Sequence, residues 1–193
     1  MSQTTTYEIS TKFLSLGLYY YITGRAAVFW GFQPVCGNLY HLAFELFLKA
    51  GLRKKYTEKE LANTQKFGHN LKNLWEEFKK IYSDTRLDKF DELIQDIDRW
   101  EKIRYLDFPE KFWALSFGVD FDRESKERIK KNMVQLRENG QEHYSFMFDD
   151  ADELFSVLLS VMSINPKFLK SYLIKQESLG FYLQGNNYPV FDH

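Results

Sequence analysis

Between Asn38 and Leu52 apolar side chains occupy almost every face of one helix, and this stretch constrains the fold most. Leu39, Leu42, Ala43, Leu46 and Ala50 recur at i, i+3, i+4, i+7 and i+11, the period of an α-helix. Tyr40, Phe44, Phe47 and Leu48 widen the apolar arc. A helix that is apolar on most sides must be covered on most sides, so the chain is expected to be mainly α, a helical bundle with this segment at its centre. One polar stripe crosses it: His41, Glu45 and Lys49 lie at i, i+4 and i+8 and share a face. If exposed, Glu45 and Lys49 would form the favourable Glu-to-Lys pair, contributing about 0.3–0.5 kcal/mol. On a central helix the same stripe could instead line a cleft or a dimer seam.

Other helical patterns flank this one. Ser10 or Thr11 can cap a first helix carrying Phe13, Leu16, Tyr20, Ala27 and Trp30, which Pro34 breaks. A third helix follows "FGHN", with Leu71, Leu74, Trp75 and Phe78 at i, i+3, i+4 and i+7. Asn70 is placed to cap it, and Gly68 allows a sharp turn in front of it. A fourth starts near Asp84 and Thr85, carries Phe90, Leu93, Ile94, Ile97 and Trp100, and stops before Pro109. Residues 110–148 are expected to form a helix or loop and then a short β-hairpin turning at Asn139-Gly140. A last core helix is led by Asp149 or Asp150 and turns Leu154, Val157, Leu158, Val161 and Met162 inward. Pro166 opens a further helix, and the apolar tail after Gly180 is expected to dock on the domain.

Composition removes several functions. A net charge of −1 gives no overall drive toward nucleic acid or an anionic membrane. The basic runs Arg53 to Lys55 and Lys126 to Lys131 read as solvated surface. With 34 aromatic residues (18 Phe, 12 Tyr and 4 Trp), order is expected nearly throughout. Cys36 is the sole cysteine, so no internal disulfide forms and a reducing, cytoplasmic setting is expected. The polar start "MSQTTTYEIS" carries no signal-peptide core. The apolar run from Phe13 to Phe32 is interrupted by Thr23, Gly24 and Arg25, short of the roughly 20 apolar residues of a membrane span. Four dispersed histidines make no local ligand set, and no phosphate-cradling glycine loop is present. Neither a metal nor a cofactor is expected.

Together, "LYHLAFELFLKAGL" (39–52), "FGHNLKNLW" (67–75) and Arg104-Tyr105 resemble the HEPN family, named for higher eukaryotes and prokaryotes nucleotide-binding. Ala43, Glu45, Lys49 and Ala50 fit the family's A-x-E-x-x-x-K-A helix. His69-Asn70-Leu71 fit its His-Asp/Asn-Leu helix start, and Arg104-Tyr105 fit its Arg-Tyr pair. The resemblance covers about residues 10–105 and 148–165 of a single domain. It implies an antiparallel helical bundle with an insertion at about 106–147 and a helical extension over about 166–193. It also implies a homodimer with an apolar interface.

Many members of that family are metal-independent ribonucleases, toxins or antiphage effectors that use an Arg-x(4–6)-His motif. Histidine would serve as general acid or base on the ribose 2′-hydroxyl, and arginine would stabilise charge on the phosphate. This chain departs from the motif, because Pro109, Glu110 and Lys111 stand where the histidine should follow Arg104. The other literal match is Arg137 to His143, inside the insertion. The catalytic candidates are therefore His69, Arg104, Arg137 and His143. The ligand-binding candidates are Glu45, Lys49, His69, Arg104 and Tyr105. His69 has two readings, part of a helix start or a group beside an anion site at a helix N-terminus. Arg104 likewise either staples the bundle or reads phosphate. The expected function is a degenerate, non-catalytic HEPN-like module binding RNA, a nucleotide or a partner protein, in a prokaryotic defence or toxin–antitoxin setting. A metal-independent ribonuclease and a purely structural dimerisation domain are the alternatives.

Overall fold

The computed structural model describes residues 3–29, 32–62, 67–101, 112–118, 123–139 and 142–165. It is a mainly helical bundle. Helix α1 (Gln3–Phe29) packs along α2 (Gln33–Leu52), and a short α3 (Glu58–Leu61) leads toward α4 (Leu71–Tyr82). A 3₁₀ segment (Thr85–Phe90) runs into α5 (Asp91–Arg99). Strand β1 (Phe112–Gly118), α6 (Arg123–Glu138) and β2 (Glu142–Met147) follow, then α7 (Phe148–Val161).

Helix α2 is central, as its pattern requires. Tyr40, Ala43, Phe44, Phe47, Leu48 and Leu52 are all fully buried. Burying side chains of this size stabilises by about 1.5–3 kcal/mol each, so this helix organises the core. Phe47 stacks on Phe155 of α7 at 4.6 Å, and Tyr21 of α1 stacks on the same ring at 4.7 Å. Three helices thus meet at Phe155.

Element boundaries differ from the sequence reading in instructive ways. Helix α1 already begins at Gln3, so Ser10 and Thr11 lie inside it; no glycine or proline from residue 3 to residue 16 interrupts it. Helix α2 begins at Gln33 with Pro34 in its first turn, where a missing N–H costs nothing. Pro34 opens this helix as well as separating it from α1. Helix α3 has a capping box in which the Thr57 hydroxyl and the Glu60 carboxylate exchange bonds with each other's backbone, a signal the sequence reading passed over. Asn70 does cap α4, accepting from Asn73 N at 2.8 Å, and Gly68 has φ 42°, the left-handed turn expected of it.

The expected hairpin at Asn139-Gly140 is corrected. Strands β1 and β2 pair in parallel, with Leu115 opposite Tyr144 and Phe117 opposite Phe146. Parallel strands need a crossover, and α6 supplies it. The run "ESKERIKKNMVQLRE" consists largely of strong helix formers, so helix persists to Glu138 and leaves no strand before Asn139. The partner strand is instead "FWALSFG", rich in aromatic residues that suit a strand. The proposed helix at Pro166 and the docking tail lie outside the described residues.

Among the described residues no helix is long and apolar enough to cross a membrane.

Candidate functional site

The polar stripe of α2 is buried. His41 is 2% exposed, Glu45 4% and Lys49 7%, so the exposed-pair reading of Glu45 and Lys49 is replaced by an internal one. Lys49 Nζ donates to Glu45 Oε1 at 2.6 Å and to the Gly68 carbonyl at 2.8 Å. The other Glu45 oxygen lies 3.0 Å from His69 Nδ1. His41 Nε2 lies 3.0 Å from the His69 carbonyl. Three α2 side chains therefore grip the loop in front of α4 by two backbone carbonyls and one imidazole. The loop's left-handed turn at Gly68 turns these carbonyls toward α2.

His69 itself is half exposed, at 47% of its side chain. Its Nδ1 is held by a buried carboxylate, which sets the ring's orientation, as in many proton-transfer histidines. The α4 N-terminus beside it is already filled. Leu71 N donates to Asp98 Oδ1 at 3.0 Å, and Asn73 N to the Asn70 side chain. Asp98, Glu45 and Glu101 place three carboxylates at this end of the bundle, with the Lys49 ammonium spent on Glu45 and Gly68. The anion-site reading of this helix N-terminus is thereby disfavoured: Asp98 occupies the place a phosphate would take.

Arg104 and Tyr105 lie outside the described residues. Arg137 falls in α6 and His143 in β2, and their side chains also lie outside what is described. Of the sequence candidates, the structure joins Glu45, Lys49 and His69, together with His41 of the same polar stripe, and it adds Asp98 and Glu101. His41 is separated from Asp98 by 57 positions, so no local motif could have announced that grouping.

A second buried polar cluster went unread in the sequence. Asp152 of α7 accepts from Tyr21 and from Arg25 of α1, and all three are buried. Desolvation pushes the Asp152 carboxyl up against the opposing pull of Arg25. The same burial raises Tyr21 and Tyr40, so both stay protonated. The cluster is sealed from solvent and reads as an internal ionic staple between α1 and α7. Arg25, which interrupted the apolar run in the sequence, is half of that staple. Cys36 is fully buried and its thiol is pushed up by desolvation, away from the reactive thiolate.

A shallow cleft of about 280 Å³ lies between α5, α6, β2 and α7. Glu92, Asp96, Asp150 and Glu153 rim it, and among the described residues its one ammonium, Lys89, is paired with Glu153. Four carboxylates make the described rim a poor seat for phosphate, and Glu45, Lys49 and His69 do not line it.

Compared with known protein families, curated proteins and solved structures, the chain shows no match.

Proposed function

We propose that this chain is a HEPN-like module that works by binding rather than catalysis, taking RNA or a nucleotide at the edge where His69 is presented. The observation that supports this reading is the use made of the motif residues. Lys49, the cation nearest His69 in that network, is buried and bonded to Glu45 and the Gly68 carbonyl. Asp98 fills the adjacent helix terminus. A phosphoryl-transfer site needs a cation aimed at the phosphate, and this network uses its own cation internally. A half-exposed imidazole on a fixed carboxylate suits stacking on, or hydrogen bonding to, an unpaired base.

The ribonuclease alternative has one specific observation in its favour. The Glu45–His69 contact fixes one ring nitrogen and aims the ring outward, the arrangement a general acid or base requires.

Fluorescence anisotropy with labelled single-stranded RNA and with nucleotides, alongside cleavage of mixed RNA in EDTA, separates the two. The proposal expects binding, no cleavage, and about tenfold weaker binding in His69→Ala, a loss of about 1.4 kcal/mol. Cleavage abolished by His69→Ala, Arg104→Ala or His143→Ala would establish the ribonuclease instead. Folded protein that neither binds nor cuts would leave the dimerisation domain.

A further inference from the structure

The geometry points to a divalent transition-metal site at His41, Asp98 and Glu101, beyond the binding role proposed above. Helix α2 supplies the first of these residues, α5 the second, and the turn after α5 the third. Their ligand atoms all lie within 4.8 Å of one another. His41 Nε2 is 3.7 Å from Glu101 Oε2. Ligands about 2.1 Å from a shared ion stand about 3 to 3.5 Å apart, so small side-chain movements close this set around one ion.

The buried imidazole is oriented as a metal ligand would be. His41 is 98% buried, and its Nδ1 faces the Ile97 carbonyl at 3.4 Å. A metal-binding histidine almost always donates its other ring N–H to a carbonyl or carboxylate in this way, which leaves the far nitrogen's lone pair for the ion. Here that far nitrogen, Nε2, faces oxygens: the His69 carbonyl at 3.0 Å, Glu101 Oε2 at 3.7 Å and Glu45 Oε2 at 3.9 Å. In the ion-free chain an Nε2–H donates to the His69 carbonyl, and a divalent ion would take that proton's place between Nε2 and these oxygens. Both Glu45 oxygens already serve Lys49 and His69, whereas Asp98 meets Leu71 N through Oδ1, so Asp98 and Glu101 carry the anionic share. One imidazole with two carboxylates and a carbonyl within reach is a mixed nitrogen–oxygen donor set. That set suits Zn²⁺ or Mn²⁺ and discriminates against Mg²⁺, which prefers oxygen alone. Glu101 is 26% exposed and gives the ion a way in.

The test is calorimetric titration of the full chain with Zn²⁺, Mn²⁺ and Mg²⁺, repeated on Asp98→Asn and Glu101→Gln, with circular dichroism confirming each fold. His41 ring nitrogens are followed by NMR in the same titration. The expected result is one Zn²⁺ or Mn²⁺ per chain, little response to Mg²⁺, and at least about tenfold weaker binding in both variants. Zn²⁺ should also displace the His41 Nε2 resonance. Absence of binding by the folded chain, or binding that both variants retain unchanged, would overturn the site.

Discussion

His69 Nδ1 lies 3.0 Å from Glu45 Oε2, and Glu45 is buried while His69 is half exposed. The carboxylate is therefore an internal anchor and the imidazole an external group. Lys49 completes the anchor from below, at 2.6 Å from the other Glu45 oxygen. Removing Lys49 leaves a buried carboxylate without its cation. Lys49→Met is expected to destabilise the fold by about 3–5 kcal/mol, the cost of stranding one member of a buried pair. His69→Ala removes only an exposed partner and is expected to cost less than about 1.5 kcal/mol. Urea unfolding of the two variants measures both. Equal costs would place the anchor elsewhere.

Arg25 and Asp152 tie α1 to α7 beneath the aromatic core. Asp152→Ala strands the guanidinium and should destabilise by about 3–5 kcal/mol. The double variant Arg25→Met with Asp152→Leu replaces both charges by apolar groups and should recover most of that loss. A thermodynamic cycle built from the double variant and its two single substitutions, Arg25→Met and Asp152→Leu, reads the coupling. Purely additive effects would show that the two residues act independently.

Gly37 faces the Trp100 ring so closely that a Cβ there would stand 1.9 Å from Trp100 Cδ2. Trp100 is fully buried and packs edge-on to Phe146 with centroids 6.1 Å apart, so it has no open direction in which to retreat. Gly37→Ala should cost at least about 1–3 kcal/mol through overpacking, despite the better helix propensity of alanine. Thermal unfolding would record a lower midpoint. An unchanged or higher midpoint would mean that the ring shifts freely.

Glu77 sits under the Tyr56 hydroxyl, at 2.5 Å, and the Lys55 ammonium, at 2.9 Å. Those two donors hold its carboxyl down at about 2. A carboxyl depressed in the folded state stabilises above its unfolded value of about 4.3. That contribution fades as pH falls from there toward 2. Glu77→Gln should therefore flatten the acid limb of the stability curve between about pH 4.5 and pH 2 while changing its slope near neutrality little. Chemical unfolding at several pH values checks this, and parallel acid limbs for the two proteins would contradict it.

The sequence by itself determined the helical class and the central place of α2, because nine apolar residues on one helix leave it no way to face water. It also determined the Asn70 cap and the Gly68 turn, since both are local backbone chemistry. It marked Glu45, Lys49 and His69 as a group through spacing and resemblance, but not what the group does. Only the tertiary structure decided that the stripe is buried rather than solvated, because burial depends on what packs over it: the loop at Gly68 and the end of α5. The parallel pairing of β1 and β2 was equally illegible, since the partner of a strand is chosen by the whole fold and not by the nearest turn signal. So was the meeting of His41 with Asp98 and Glu101, and of Arg25 with Asp152, each joined across many residues by packing that no local pattern encodes.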